Sequence, residues 1–92
     1  MKSNSQVVLT IAGFDPSGGA GIVTDVATIV RFGCRPAAAI TSLTFQNASG
    51  VFGSTHETAK SLRAQILPII EEANIGAVKV GMLPTAELVR KW

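Results

Sequence analysis

Short apolar segments of strand length alternate with segments of helical periodicity along this chain, and that alternation constrains its fold more than any other feature. Residues 7–12 (VVLTIA) form a continuous apolar run, which is typical of a strand buried on both faces of a parallel sheet. Residues 22–30 then carry apolar side chains at helical spacing, and Gly33 stands where a helix would end. Residues 37–45 (AAAITSLTF) end in β-branched and aromatic side chains and predict a second strand. The first half of the chain therefore predicts a βαβ unit.

The second half continues with a helix, a strand and the start of another helix. Residues 58–72 carry apolar side chains at helical spacing, and Pro68 inside this segment predicts a kink or an early end. Residues 77–80 (AVKV) predict a third strand. A third helix is expected from an N-cap at Thr85 to Trp92. The whole pattern predicts a single α/β domain with a mostly parallel sheet.

The loops that follow the strands are the expected location of a functional site, because ligands bind outside the carboxyl ends of the strands in such sheets. Residues 46–53 (QNASGVFG) predict a loop with at most a short extended piece at Val51 and Phe52. The loops expected to meet at one edge of the sheet are residues 13–20, 46–50 and 81–84.

Composition and charge exclude several classes of function. With 92 residues, of which 47% are hydrophobic, the chain can bury one small core. No apolar run reaches the roughly 18 residues of a membrane span, and the start MKSNSQ lacks the pattern of a secretory signal, so we expect a cytoplasmic protein without a membrane partner. The net charge of +2 comes from scattered basic residues and predicts no nucleic-acid partner. Cys34 and His56 are the single residues of their types, so no metal cluster is expected, and both are interpreted as non-catalytic.

The segment GFDPSGGAGI, residues 13–22, has four glycines directly after the first predicted strand. It is not a P-loop, since no lysine lies between Ser3 and Ala59. It also departs from the dinucleotide-binding pattern, because Thr24 stands where a small residue is needed. Two interpretations remain open: a backbone surface that approaches a polar ligand, or a turn that needs positive φ.

Three segments of the chain resemble the hydroxymethylpyrimidine and phosphomethylpyrimidine kinases of thiamin biosynthesis, in the ribokinase-like superfamily. They are TIAGFDPSGGAGIVTD (residues 10–25), ITSLTFQN (40–47) and AVKVGML (77–83). The resemblance extends over nearly the whole chain from about Val8. It implies a three-layer α/β/α fold with a mostly parallel sheet. It also implies ATP- and Mg²⁺-dependent phosphorylation of a small aminopyrimidine alcohol at its hydroxymethyl group.

The resemblance implies four substrate-binding residues, and each has suitable chemistry. Gly13 would let the ring approach the backbone, and Met82 would lay its thioether on the ring. Gln46 would pair its amide with a ring nitrogen and the exocyclic amine. Asp25, about one turn into the first helix, would accept a hydrogen bond from the substrate. Without the resemblance, Gln46 is interpreted as a loop residue, Met82 as a core residue and Asp25 as a carboxylate on a helix face. We expect GFDPSGGAGI to be the substrate-side loop.

Some parts of the family pattern differ or fall outside these segments. Phe14 stands where the family usually has a small hydroxyl residue, and could either narrow the pocket or pack against the following helix. The family's anion hole, catalytic residue and nucleotide-binding segment lie in its later half. We therefore expect residues 1–92 to be the N-terminal, substrate-side portion of one truncated ribokinase-like domain, with no catalytic residue and neither ATP nor Mg²⁺ bound by this segment alone.

Two alternatives to a hydroxymethylpyrimidine kinase remain. The first is a pyridoxal kinase-like enzyme of the same superfamily. The second is a noncatalytic small-molecule-binding or assembly portion, in which an uncovered sheet edge pairs with another chain. In that case a homo-oligomer is among the expected partners.

Overall fold

The computed structural model describes residues 6–91, which form four strands and three helices. In chain order these are β1 (Val7–Phe14), α1 (Ile22–Arg31), β2 (Arg35–Asn47), β3 (Gly50–His56), α2 (Ala59–Glu72), β4 (Ile75–Val80) and α3 (Ala86–Lys91). None of these helices has the length and apolar character needed to cross a membrane. Trp92, the expected end of the third helix, lies outside the described residues.

The four strands form one sheet in the order β3-β2-β1-β4. Strand β1 pairs in parallel with both β2 and β4, whereas β2 and β3 pair in an antiparallel hairpin. The predicted mostly parallel sheet is therefore confirmed. Because β1, β2 and β4 run in the same direction, their carboxyl ends meet at one edge, where the functional loops were expected.

Alternate side chains of β1 face different helices. Leu9 and Ile11 belong to the main core cluster, together with residues of α2 and α3 such as Leu62 and Leu88. Thr10 is also fully buried but points to the other face, where its hydroxyl contacts Asp25 of α1. This alternation follows from the two-residue period of a strand, and it places helices on both faces of the sheet.

A threonine side chain caps the N-terminus of both α2 and α3. The Oγ1 atom of Thr58 accepts from the backbone N–H of Ser61 at 3.0 Å, at the start of α2. The Oγ1 atom of Thr85 accepts from the N–H of Leu88 at 3.1 Å, as predicted for the third helix. Each cap satisfies one of the backbone donors that a helix leaves unpaired at its start.

The prediction of a loop over residues 46–53 is wrong, although the short extended piece expected at Val51 and Phe52 is confirmed as part of β3. Strand β2 continues to Asn47, and β3 begins at Gly50 after a two-residue turn. The side chain of Asn47 closes this turn by accepting from the N–H of Ser49 at 2.8 Å. Gly53, which suggested a loop, lies opposite Phe45, whose ring would be 3.0 Å from a Cβ at that position. Cross-strand pairing with an aromatic ring therefore outweighs the low strand propensity of glycine.

A kink or an early end was predicted at Pro68, and the early end does not occur, because α2 continues to Glu72. Proline removes one backbone donor and interferes with the carbonyl of Ala64, one turn earlier. Both Pro68 and Ala64 are exposed, so water can reach that carbonyl. The helix therefore accommodates proline on its solvent side.

The pairing of β1 with β2 shifts just before the functional edge. Ala12 pairs with Ile40 but Gly13 pairs with Ser42, so Thr41 is an extra residue in β2. The amide of Gln65 in α2 bonds to both backbone groups of Ile40, accepting from its N–H at 2.8 Å and donating to its carbonyl at 2.9 Å. This irregularity places Gly13 beside Ser42 at the end of the sheet.

Candidate functional site at the carboxyl ends of the strands

A cavity of about 240 Å³ lies at the carboxyl ends of β1, β2 and β4. Gly13, Gln46 and Met82, three of the four predicted substrate-binding residues, line this cavity, which we call the strand-end cavity. The structure thus brings together residues from the three segments that the sequence placed at this edge. That they bind a substrate stays a prediction.

Gly13 and Met82 are close neighbours in the wall of the strand-end cavity. A Cβ atom at position 13 would lie 3.3 Å from the Sδ atom of Met82, so a side chain there would displace the thioether. Met82 is 44% exposed, which does not fit its alternative interpretation as a core residue. Phe14, although adjacent to Gly13, does not line the cavity. The cavity wall at this point is therefore a bare backbone facing a polarizable sulfur.

Gln46 reaches the cavity from strand β2, not from a loop. Its Nε2 atom donates to the Oγ1 of Thr44 at 2.7 Å, and that hydroxyl donates to the backbone carbonyl of Phe14 at 2.9 Å. This chain of hydrogen bonds fixes the orientation of the amide. Because an amide has two N–H donors and a carbonyl acceptor, one donor and the acceptor remain for a ligand. A planar group with an adjacent donor and acceptor would match them.

Asp25 does not line the strand-end cavity. It lies in the first turn of α1, as expected, but faces a neighbouring cavity of about 180 Å³ that it shares with Thr28, Ile29 and Lys79. Two donors reach its Oδ2 atom: the hydroxyl of Thr10 at 2.6 Å and the ammonium of Lys79 at 2.8 Å. Lys79 lines both cavities, so Asp25 is connected to the first through this ion pair.

The carboxylate of Asp25 remains ionised at neutral pH. Its partial burial raises the pKa, but hydrogen bonds from Lys79 and Thr10 and the charge of Lys79 outweigh this effect, so the pKa lies below its usual range. A carboxylate in this state can accept hydrogen bonds but cannot donate a proton.

Asp15 organises the glycine-rich loop from within. Its carboxylate accepts from the Ser17 N–H at 2.9 Å, the Ser17 hydroxyl at 2.6 Å and the Gly19 N–H at 3.1 Å. The side-chain hydrogen bond from Ser17 is the largest influence on its pKa, which is lowered although burial opposes the change. The sequence analysis did not single out Asp15, but the order Asp-Pro-Ser-Gly is a known turn signal that could have identified it.

Gly21, the residue before α1, has φ of +70° and ψ of −141°. A Cβ atom there would overlap the backbone carbonyl oxygen of Gly13, so the loop can return to β1 only with glycine at this position. The interpretation of the segment as a turn that needs positive φ is therefore confirmed at Gly21. Gly21 also lines the strand-end cavity, so the same turn forms part of its wall.

Lys79 and Thr10 were both missed as site residues. Lys79 is a charged residue inside the apolar strand segment AVKV, and that interruption is the signal that could have identified it. Thr10 similarly interrupts the apolar run VVLTIA. The two residues lie opposite each other in the pairing of β1 with β4, which explains why both reach Asp25.

The described residues contain no group of three or more His, Cys, Asp or Glu side chains placed to hold a metal ion. Asp15 accepts three hydrogen bonds from its own loop, and Asp25 is paired with Lys79.

Comparison with known proteins gives consistent matches over nearly the whole chain. The sequence model described as phosphomethylpyrimidine kinase matches residues 15–91. A hydroxymethylpyrimidine/phosphomethylpyrimidine kinase of Streptomyces coelicolor is 41% identical over 83 residues, which are 90% of this chain and 31% of that protein. The chain thus spans about a third of the length of this curated relative.

Two solved structures resemble the fold closely. The crystal structure of a phosphomethylpyrimidine kinase from Clostridium difficile 630 matches with a TM-score of 0.89 at 38% identity, covering 95% of this chain and 38% of that one. An ADP complex of Bacillus subtilis pyridoxal kinase matches with a TM-score of 0.84 at 32% identity, covering 95% and 34% of the two chains. These matches confirm the predicted ribokinase-like α/β fold.

Proposed function

Because the chain belongs to the phosphomethylpyrimidine kinase family, we propose that it forms the substrate-binding part of a kinase that phosphorylates hydroxymethylpyrimidine and its phosphate. The observation that carries this proposal is the meeting of Gly13, Gln46 and Met82 at one cavity. These are the residue types that a small aminopyrimidine requires: an open backbone, a paired donor and acceptor, and a polarizable apolar surface. We assign nucleotide binding and phosphoryl transfer to residues other than Gly13, Gln46 and Met82.

In the proposed complex, the pyrimidine ring lies between the backbone at Gly13 and the thioether of Met82. The free donor and acceptor of Gln46 then face the edge of the ring that carries a nitrogen beside the exocyclic amine. The hydroxymethyl group points toward Lys79 and Asp25 at the boundary of the two cavities. This arrangement holds the alcohol in one orientation, which is the main contribution that a substrate-binding part makes to phosphoryl transfer.

The proposal includes ATP as phosphoryl donor, Mg²⁺ and a cytoplasmic location. ATP with Mg²⁺ would supply the transferred phosphoryl group and neutralise part of its charge. The residues present bind and orient the alcohol.

A second candidate is phosphorylation of pyridoxal, favoured by the structural similarity to Bacillus subtilis pyridoxal kinase. Pyridoxal is also a small heteroaromatic alcohol, so the same cavity could receive it. It lacks an exocyclic amine next to a ring nitrogen, and therefore cannot use both free groups of Gln46 in the same way. The two functions are separated by comparing kcat/KM for the two alcohols in the complete enzyme.

The proposed function is tested at Gln46. In the complete enzyme, Gln46→Leu should lower kcat/KM for hydroxymethylpyrimidine, since the polar edge of the ring loses its partners. The decrease should correspond to a loss of about 1–3 kcal/mol of transition-state stabilisation. Gln46→Glu keeps the shape and the acceptor but loses the donors, so it should also weaken the reaction. Asn74→Leu, the same kind of change at an exposed position before β4, is the matched control and should leave kcat/KM unchanged.

The thermal midpoint of each variant is measured alongside its kinetics. We expect it to change little in Gln46→Leu, because Gln46 is only partly buried. An unchanged kcat/KM would show that Gln46 does not contact the substrate. A midpoint lowered as much as by a core truncation would show that its role is structural.

A further inference from the structure

Lys79 occupies a position that the proposed substrate cavity shares with its neighbour. Its side chain is 52% exposed, whereas that of its partner Asp25 is 17% exposed. The ammonium lies over Gly81, where a Cβ atom would be only 2.8 Å from Nζ. Glycine at position 81 therefore leaves room for the ammonium at the boundary of the two cavities.

The charges around this boundary are unbalanced. Among the described residues that line either cavity, Asp15 and Asp25 are acidic and Lys79 alone is basic. Asp15 lines the strand-end cavity, and its carboxylate accepts hydrogen bonds from its own loop, which offset part of its charge. The charge of Asp25 is offset by Lys79 at 2.8 Å. An anion entering the strand-end cavity would meet attraction from Lys79 and repulsion from the two carboxylates.

We propose that Lys79 is the residue that admits the phosphorylated form of the substrate to the strand-end cavity. This inference rests on the proposed function, in which the same cavity holds hydroxymethylpyrimidine and then its monophosphate. The alcohol is neutral at its reacting group, whereas the monophosphate is an anion with strong acceptor oxygens. Lys79 can donate to such an oxygen while it keeps its bond to Asp25, because an ammonium has three N–H donors.

The predicted consequence is a difference between the two ligands. Without the ammonium, a phosphate group would face Asp25 with no positive charge to compensate, and so it would be excluded. The neutral alcohol carries no charge that has to be compensated. Lys79 would thus determine specificity for the charged substrate, while Gln46 and Met82 hold the ring that both ligands share.

The test is calorimetric binding of hydroxymethylpyrimidine and of its monophosphate to the full protein and to Lys79→Met. We expect the Kd for the monophosphate to rise about tenfold to a hundredfold, as for the loss of a charge-assisted hydrogen bond. The Kd for the alcohol should rise by no more than about threefold, because its neutral hydroxyl loses only a contact with an ammonium that is half exposed to water. Lys60→Met, which removes the same charge from an exposed position in α2, is the matched control and should change neither value.

A second measurement does not depend on the folding of any variant. Raising the ionic strength should weaken binding of the monophosphate to the unaltered protein and leave binding of the alcohol unchanged. Equal losses of affinity for both ligands in Lys79→Met would overturn the role of Lys79 but not the proposed function. Monophosphate binding that is insensitive to salt would have the same consequence. Failure of the unaltered protein to bind either molecule would overturn the proposed function, and this inference with it.

Discussion

Replacing Thr41 by valine should stabilise the protein. Thr41 is 0% exposed, and its Oγ1 atom has no hydrogen-bond partner among the described residues. It is the extra residue at the register shift between β1 and β2, so its position is set by the backbone pairing of its neighbours. Valine has nearly the same shape without the hydroxyl. The substitution therefore removes a buried unsatisfied group without leaving a cavity.

The size of the effect follows from the cost of burying a hydroxyl. Leaving such a group unsatisfied costs about 1–3 kcal/mol, and we expect valine to recover about 1 kcal/mol of this in the free energy of unfolding. For a domain of 60–100 residues, 1 kcal/mol corresponds to an increase of about 4–8 °C in Tm.

Thr10→Val is the matched control. Thr10 is also 0% exposed, but its hydroxyl donates to the carboxylate of Asp25 at 2.6 Å. Loss of this charge-assisted bond should lower the free energy of unfolding by about 1.5–3 kcal/mol. The same chemical change at two buried threonines should therefore shift Tm in opposite directions.

The test measures Tm of both variants by circular dichroism at pH 7, and their free energies of unfolding in urea. A Tm for Thr41→Val that falls as far as that of Thr10→Val would refute the reasoning. It would mean that the Thr41 hydroxyl is hydrogen-bonded in solution, for example to a buried water.

Two further predictions concern the loop and the ion pair. Gly21→Ala should destabilise the protein by more than about 2 kcal/mol, because a Cβ would overlap the Gly13 carbonyl at positive φ. Gly50→Ala, where a Cβ meets nothing within 4 Å, is its control and should change Tm little; equal shifts in urea midpoint would contradict this explanation. The folded-state pKa of Asp25 is below its ordinary 3.8, so its charge stabilises the protein above that pH and ceases to do so as pH falls through the folded-state value. Asp25→Asn should accordingly lower Tm at pH 7, by a margin that shrinks below pH 3.8; a constant margin from pH 7 to pH 2.5 would show that the charge is not responsible.

Local sequence patterns were sufficient to predict the elements that have their own periodicity. The apolar run at the start of β1 and the helical spacing in α1 and α2 come from burial on defined faces, which leaves a signal in the sequence. Strand β3 has no such signal, because six of its seven residues are exposed and it contains two glycines. It exists through pairing with β2, including the contact of Phe45 with Gly53. Such pairing depends on tertiary structure and could not be predicted from propensity.

The candidate site, too, could be predicted only in part from the sequence. Gly13, Gln46 and Met82 could be placed together from the sequence, because each lies at or near the carboxyl end of a parallel strand. The contact between Lys79 and Asp25, 54 residues apart, could not. It depends on the register that sets Thr10 opposite Lys79 and on the helix turn that carries Asp25 over the same face. Direct binding of the ligand by Asp25 stays a prediction, and the two protein donors on its Oδ2 atom could not be predicted from the sequence.

The glycine-rich loop forms a turn, and the same turn lines part of the strand-end cavity. Gly21 must lack a side chain because the loop returns to within contact of the Gly13 backbone. That return closes one side of the strand-end cavity, so the steric requirement of the turn also forms the cavity wall. Asp15 holds the rest of the loop through its own hydrogen bonds and lines the strand-end cavity together with Gly13, Ala20 and Gly21. A substitution at Gly21 should therefore impair folding and ligand binding together, whereas one at Gln46 should impair binding alone.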